Sequence, residues 1–114
     1  MSRTLHQTVF LPASPARLYA MYLNPKIHAA FRAFSGTLTG AILQTVPNKL
    51  IVQSWRASHW KKSDLDSTLI LSFWPDAKGG RIRLVHANVA DHDYEGVKEG
   101  WHIYYWNPWR AYLK

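Results

Sequence analysis

A chain of 114 residues, 47% of them apolar, is sized for one domain around one core, and the lack of cysteine excludes disulfides, thiolate nucleophiles and cysteine-ligated metals. The net charge of +7 is uneven: residues up to Ser63 hold eight Lys or Arg and no acid, whereas from Asp64 onward six basic residues face seven acidic ones. This asymmetry suits an anionic partner or self-association, but only Lys61 and Lys62 are adjacent cations, which disfavours a nucleic-acid stripe, and no apolar run is long enough for membrane insertion.

The segment TLHQTVFL alternates through Leu5, Gln7, Val9 and Leu11 and reads as a first strand. The N-terminus lacks the continuous apolar core of a secretory signal, so a soluble, cytoplasmic protein is expected. Ser14 and Pro15 stand as N-cap and first residue of a helix reaching to Leu23, with Leu18, Tyr19, Tyr22 and Leu23 on its apolar side. Asn24 and Pro25 repeat the signal, so a short second helix is expected over KIHAAF. From Phe34 the texture is β: FSGTLTGAILQTV, a turn at Pro47 and Asn48, and KLIVQSWRA. DSTLILSFW and RIRLVHANV follow as a hairpin joined by PDAKGG.

The last stretch, DYEGVKEGWHIYYWNPWRAYLK, holds seven of the sixteen aromatic residues, and Val97, Trp101, Tyr104, Tyr105, Pro108 and Tyr112 recur at helical spacing. It is expected to form one helix from Asp93 to Leu113, locally disrupted at Pro108, which lacks an N–H and crowds the Tyr104 carbonyl. The element order predicts an α+β fold, an antiparallel sheet with helices on one face.

Alternation puts Ile82, Leu84 and His86 on one face of their strand, opposite Arg81 and Arg83, so His86 is a polar group on an apolar wall. Ile51, Gln53 and Trp55 share a face; Trp55 has the chemistry to stack on a ligand or to pack on the last helix. Arg56 is either a carboxylate clamp or a strand arginine paired with a neighbouring acid, and the second is simpler. Asp91, His92, Asp93 and Glu95 open the last helix, where acids complement the dipole and Asp93 suits the cap, so no metal is expected there. No nucleophile elbow, phosphate loop or HExxH pair occurs, and no cofactor is expected.

The strings KLIVQSWRASHW, TLILSF, RIRLVHANV after a GG turn, and GWHIYYW, with Ile51, Val52, Trp55, Arg56, Trp60, Gly100, Trp101 and Tyr105 in order, resemble the family related to the activator of heat-shock protein 90 ATPase. That family belongs to the START-like, helix-grip (SRPBCC) superfamily. The resemblance implies a curved antiparallel sheet gripping a long C-terminal helix, with a largely apolar cavity between them. It departs from the pattern after Phe31, which runs almost directly into Ala33 and Phe34 where relatives carry a further segment. A shortened second helix or strand would open the cavity or bare a sheet edge.

The reading that follows is a non-enzymatic binding module for a small hydrophobic or amphipathic ligand, with Trp55, Leu71, Phe73, His86, Trp101 and Tyr105 as its lining. The alternative is a chaperone-interacting or stress-related protein-binding domain, and a weaker one is a START-like enzyme of unknown reaction. The bared edge and the divided charge also predict a homodimer.

Overall fold

Period-two alternation builds the sheet. The computed structural model of the protein describes residues 2–23, 38–39, 42–57 and 60–113; the helix expected over KIHAAF and the start of the strand expected from Phe34 lie outside them. Strands β1 (Ser2–Leu11), β2 (Leu38–Thr39), β3 (Ile42–Val46), β4 (Leu50–Ala57), β5 (Ser67–Asp76) and β6 (Gly79–Ala90) pair antiparallel in the order β1-β6-β5-β4, with β2 and β3 sharing the far edge of β4. Alternate residues point inward: Leu5, Val9 and Leu11 from β1, Ile82, Leu84 and His86 from β6, Leu69, Leu71 and Phe73 from β5, and Ile51 and Trp55 from β4 are all buried. Asn48 turns the chain between β3 and β4 at φ 63°, a left-handed conformation that asparagine tolerates. Asn88, at φ 62°, sits within β6 where its pairing with β1 shifts register between Arg3 and Leu5, a bulge that bends the end of the sheet.

Helix α1 (Pro15–Leu23) starts as expected, with the Arg17 N–H donating to the Ser14 hydroxyl at 3.2 Å. It buries Leu18, Met21 and Tyr22, whereas Leu23 is exposed. The expected apolar side is corrected by that one residue: Leu23 stands five positions from Leu18, about 140° round the helix, where Met21 and Tyr22 are its true neighbours. The helix closes on the β5–β6 hairpin because Gly80 has no side chain; a Cβ there would stand 2.6 Å from the Ala13 carbonyl oxygen.

The C-terminal helix is continuous in course but not in winding. A 3-10 turn (Asp91–Asp93) leads into α2 (Tyr94–Trp101), then a π-helical segment (His102–Trp106), then α3 (Asn107–Tyr112). The Asn107 N–H donates to the His102 carbonyl, five residues back. Pro108 follows at once, so the local disruption expected there takes the form of a wider turn rather than a break. The wider turn shifts the inward face by one residue. Trp106 and Trp109 are buried, Leu113 packs against the core, and Tyr112, expected inside, is exposed; Pro108 is only half-buried. Among the described residues no helix is long and apolar enough to cross a membrane.

Candidate functional site

Between sheet and helix runs a row of rings. Trp60 lies 5.5 Å from Trp55, Trp55 4.8 Å from His86, His86 5.9 Å from Trp101, and Trp101 4.4 Å from Tyr105, centroid to centroid. Tyr105 continues to Tyr22 on α1 at 6.1 Å. Four of the six residues expected to line a site, Trp55, His86, Trp101 and Tyr105, are thus brought together. Leu71 and Phe73 are equally buried but lie along β5 toward the hairpin, and Phe73 meets Tyr19 edge-on at 5.7 Å. The π segment adds a second rank: Trp106 stacks on Trp101 at 5.5 Å with 19° between planes, and Trp109 meets Trp106 edge-on.

His86 is fully buried, and its protonation follows from its partners. The Trp101 indole N–H can only donate, and it donates to His86 Nδ1 at 3.2 Å. Nδ1 is therefore the bare nitrogen and Nε2 carries the proton, which it donates to the Ser67 hydroxyl at 2.8 Å. Ser67 in turn donates to the Trp55 carbonyl at 2.7 Å. Desolvation by burial pushes the His86 pKa down to about 3, so the ring is neutral near pH 7. With both nitrogens engaged, His86 is a structural link between β4, β5, β6 and α2, and it offers no free base at neutral pH.

The row ends in a polar group that alternation alone does not single out. The Tyr22 hydroxyl donates to Gln53 Oε1 at 2.6 Å, and Tyr105 is hydrogen-bonded to Tyr22. Burial raises both tyrosine pKa values, so both remain protonated donors. Gln53 was visible as the polar member of the inward face of β4; what the sequence could not show is that Tyr22, 31 residues earlier, meets it. Trp106 and Gln7 form a comparable link, the indole N–H donating to the Gln7 amide oxygen at 2.9 Å. The interior therefore presents ring faces and neutral hydrogen-bonding groups and carries no ionised side chain among the described residues.

At the other end, the loop after β4 is strapped to the start of the last helix. Arg56 donates to the carbonyls of Lys61 and Asp64 and pairs with Asp66 at 3.3 Å, the simpler of the two roles expected of it. Asp93 occupies the N-cap position of α2 but makes no side-chain cap bond; its Oδ2 accepts from the Trp60 indole at 2.7 Å. That corrects its expected role: it holds Trp60 over the aromatic row. Asp64 joins His92 at 2.7 Å, and this hydrogen bond holds the Asp64 carboxyl below its usual pKa. Among the described residues no group of three or more His, Asp or Glu is placed to hold a metal ion.

The fold is shared with solved structures of low sequence identity. An Hsp90 activator from Plasmodium falciparum superposes with a TM-score of 0.74 at 18% identity, covering 86% of this chain and 86% of that one. Protein Ms6760 from Mycobacterium smegmatis gives 0.76 at 13% identity over 99% and 91% of the two chains. The Aha1 dimer from Colwellia psychrerythraea gives 0.73 at 10% identity over 97% and 96%. No curated protein matches in sequence. The family model for Activator of Hsp90 ATPase homolog 1-like proteins matches residues 32–114, from just before β2 through the whole C-terminal helix. With its helix-grip sheet and most of its length accounted for by that match, the chain belongs to the Activator of Hsp90 ATPase homolog 1-like family.

Proposed function

We propose that this domain is a non-enzymatic binding module that holds a small, uncharged hydrophobic or amphipathic ligand against the inner face of its sheet. The observation that carries this reading is the ring row from Trp55 to Tyr105, ending in the buried Tyr22, Gln53 and Tyr105 hydrogen-bonding group. These rings close on one another, so a ligand would enter by parting them; an apolar lining with a few convergent neutral polar atoms then suits a molecule with a ring or chain and one hydroxyl or carbonyl, and it penalises ions. Nile red, a neutral probe, is expected to bind one per chain with enhanced emission. Gln53→Leu should weaken it several-fold while circular dichroism stays unchanged. Absence of enhancement, or equal affinity in the variant, would count against the reading.

A second reading, protein contact, is favoured by β3, which among the described residues pairs only with β4 and so forms an edge. All five of its residues are exposed, Ile42, Leu43 and Val46 are apolar, and none carries a charge or is proline, the usual guards of a sheet edge. Similarity to an Hsp90 activator and to an Aha1 dimer points to an Hsp90-class ATPase or a second copy as the partner. Sedimentation velocity at micromolar concentration, in low and high salt and with added Hsp90, checks both. A homodimer that persists in high salt is the expected result, since the edge is apolar. A monomer in both salts that ignores Hsp90 would remove this reading.

A further inference from the structure

The face of the sheet turned away from the helix carries a feature that neither the interior nor the β3 edge uses. Phe10 on β1 and Trp74 on β5 both pair with Arg81 on β6, so the three side chains form one row across adjacent strands on the outer face. Strand spacing places the two aromatic residues about 10 Å apart with the arginine between them. Phe10 is 58% exposed and Trp74 46%, a large apolar outlay to leave in water. The Arg81 guanidinium lies 5.9 Å from the Trp74 ring centroid.

Beside this row, Phe10, Pro12, Ala77 and Lys78 help to line an open, mainly apolar cleft of about 340 Å³ at the tip of the β5–β6 hairpin. Arg83 stands in the next outward row of β6, two residues along. Among the described residues Lys78, Arg81 and Arg83 form no ion pair, and Asp76 is the one acid lining the cleft. Aromatic and arginine side chains with unspent charge around an apolar depression are the makings of a protein-contact hot spot.

We propose that the Phe10–Arg81–Trp74 row and its adjoining cleft dock an acidic peptide segment bearing one apolar anchor side chain. The anchor occupies the cleft against Phe10, and acidic neighbours meet Arg81, Arg83 and Lys78. Charge complementarity selects this occupant: three cations against the single carboxylate of Asp76 leave the patch net positive, yet they are too few and too short a track for a nucleic-acid strand, and a cleft beside one aromatic row takes one anchor side chain rather than a bilayer surface. The surface lies on the opposite face from the ligand wall, so this inference stands or falls separately from the proposed binding of a small molecule.

Fluorescence anisotropy with a fluorescein-labelled oligoglutamate peptide carrying one central phenylalanine tests it. Salt-sensitive binding is expected, weakened about fivefold or more by Trp74→Ala and by Arg81→Glu. Both sites are on the outer surface, and unchanged thermal unfolding would confirm that the variants are folded. Four results would each overturn the proposal: no binding by the wild-type protein, equal affinity in both variants, equal affinity for oligoglutamate lacking the phenylalanine, or a preference for oligothymidylate or phosphatidylserine vesicles over the peptide.

Discussion

Trp101→Ala is expected to cost about 3 to 5 kcal/mol of stability, a large share of what a domain of this size possesses. The indole is fully buried, touches His86, Tyr105 and Trp106 ring to ring, and its N–H is the donor to His86 Nδ1. Removing it opens a cavity in the middle of the row and leaves a buried imidazole nitrogen unpaired, which adds about 1 to 3 kcal/mol if no water enters. Trp101→Phe keeps one ring while removing the donor and leaving a smaller void, so it should lose less than the alanine variant. Urea unfolding reads both. A loss below about 1 kcal/mol for the alanine variant would mean that the helix does not depend on this ring. Nile red binding measured on the folded fraction then reports function: a ligand wall loses affinity beyond the unfolded share, whereas pure core does not.

Strand faces were legible because alternation is a local property. Leu5, Val9 and Leu11, or Ile82, Leu84 and His86, declare their side with no knowledge of what they pack against, and the structure buries all six. The start of α1 was legible for the same reason, since Ser14 and Pro15 act on their own neighbours. The face of the last helix was legible only as far as Tyr105. Beyond it, a reading at 3.6 residues per turn puts Tyr112 inside, and the five-residue turn ahead of Pro108 moves Trp106 and Trp109 there instead. Proline in the sequence signals a disturbance but not whether the helix breaks, kinks or widens.

The polar detail of the candidate site was hidden for a different reason. Tyr22 with Gln53, Trp60 with Asp93 and Asp64 with His92 are contacts between elements far apart in the chain. Each member alone has an ordinary local explanation: an apolar helix side, a half-buried strand, a cap. Only the folded sheet decides that Asp93 spends its oxygen on an indole rather than on the helix it begins. The exposed Phe10–Arg81–Trp74 row is hidden likewise, because its three members come from three strands.

Acid should destabilise the protein through His86 in a window that its partners define. In the unfolded chain the imidazole titrates near its ordinary value of 6.5, and in the folded protein burial holds it to about 3. Between those values the unfolded state binds a proton that the folded state refuses, so stability is intact above pH 6.5 and falls as pH drops, by up to about 1.4 kcal/mol per pH unit. Across the whole window the loss is about 3 to 5 kcal/mol, and below about pH 3 it stops growing. The residues in contact with the ring, Ser67, Trp55 and Trp101, are uncharged and cannot offset it. Asp64, whose carboxyl is held below its usual pKa by His92, adds its own loss of stability in acid, so the decisive quantity is the difference between the wild-type protein and His86→Leu. At about pH 7 the variant should be the less stable, because Trp101 loses its acceptor and Ser67 its donor. Toward about pH 4.5 that deficit should shrink by about 2 kcal/mol, since only the wild-type protein must keep a buried imidazole uncharged. Urea midpoints measured at both pH values read the change directly; parallel curves would show that His86 accepts its proton in place, and that the ring is not sealed between sheet and helix.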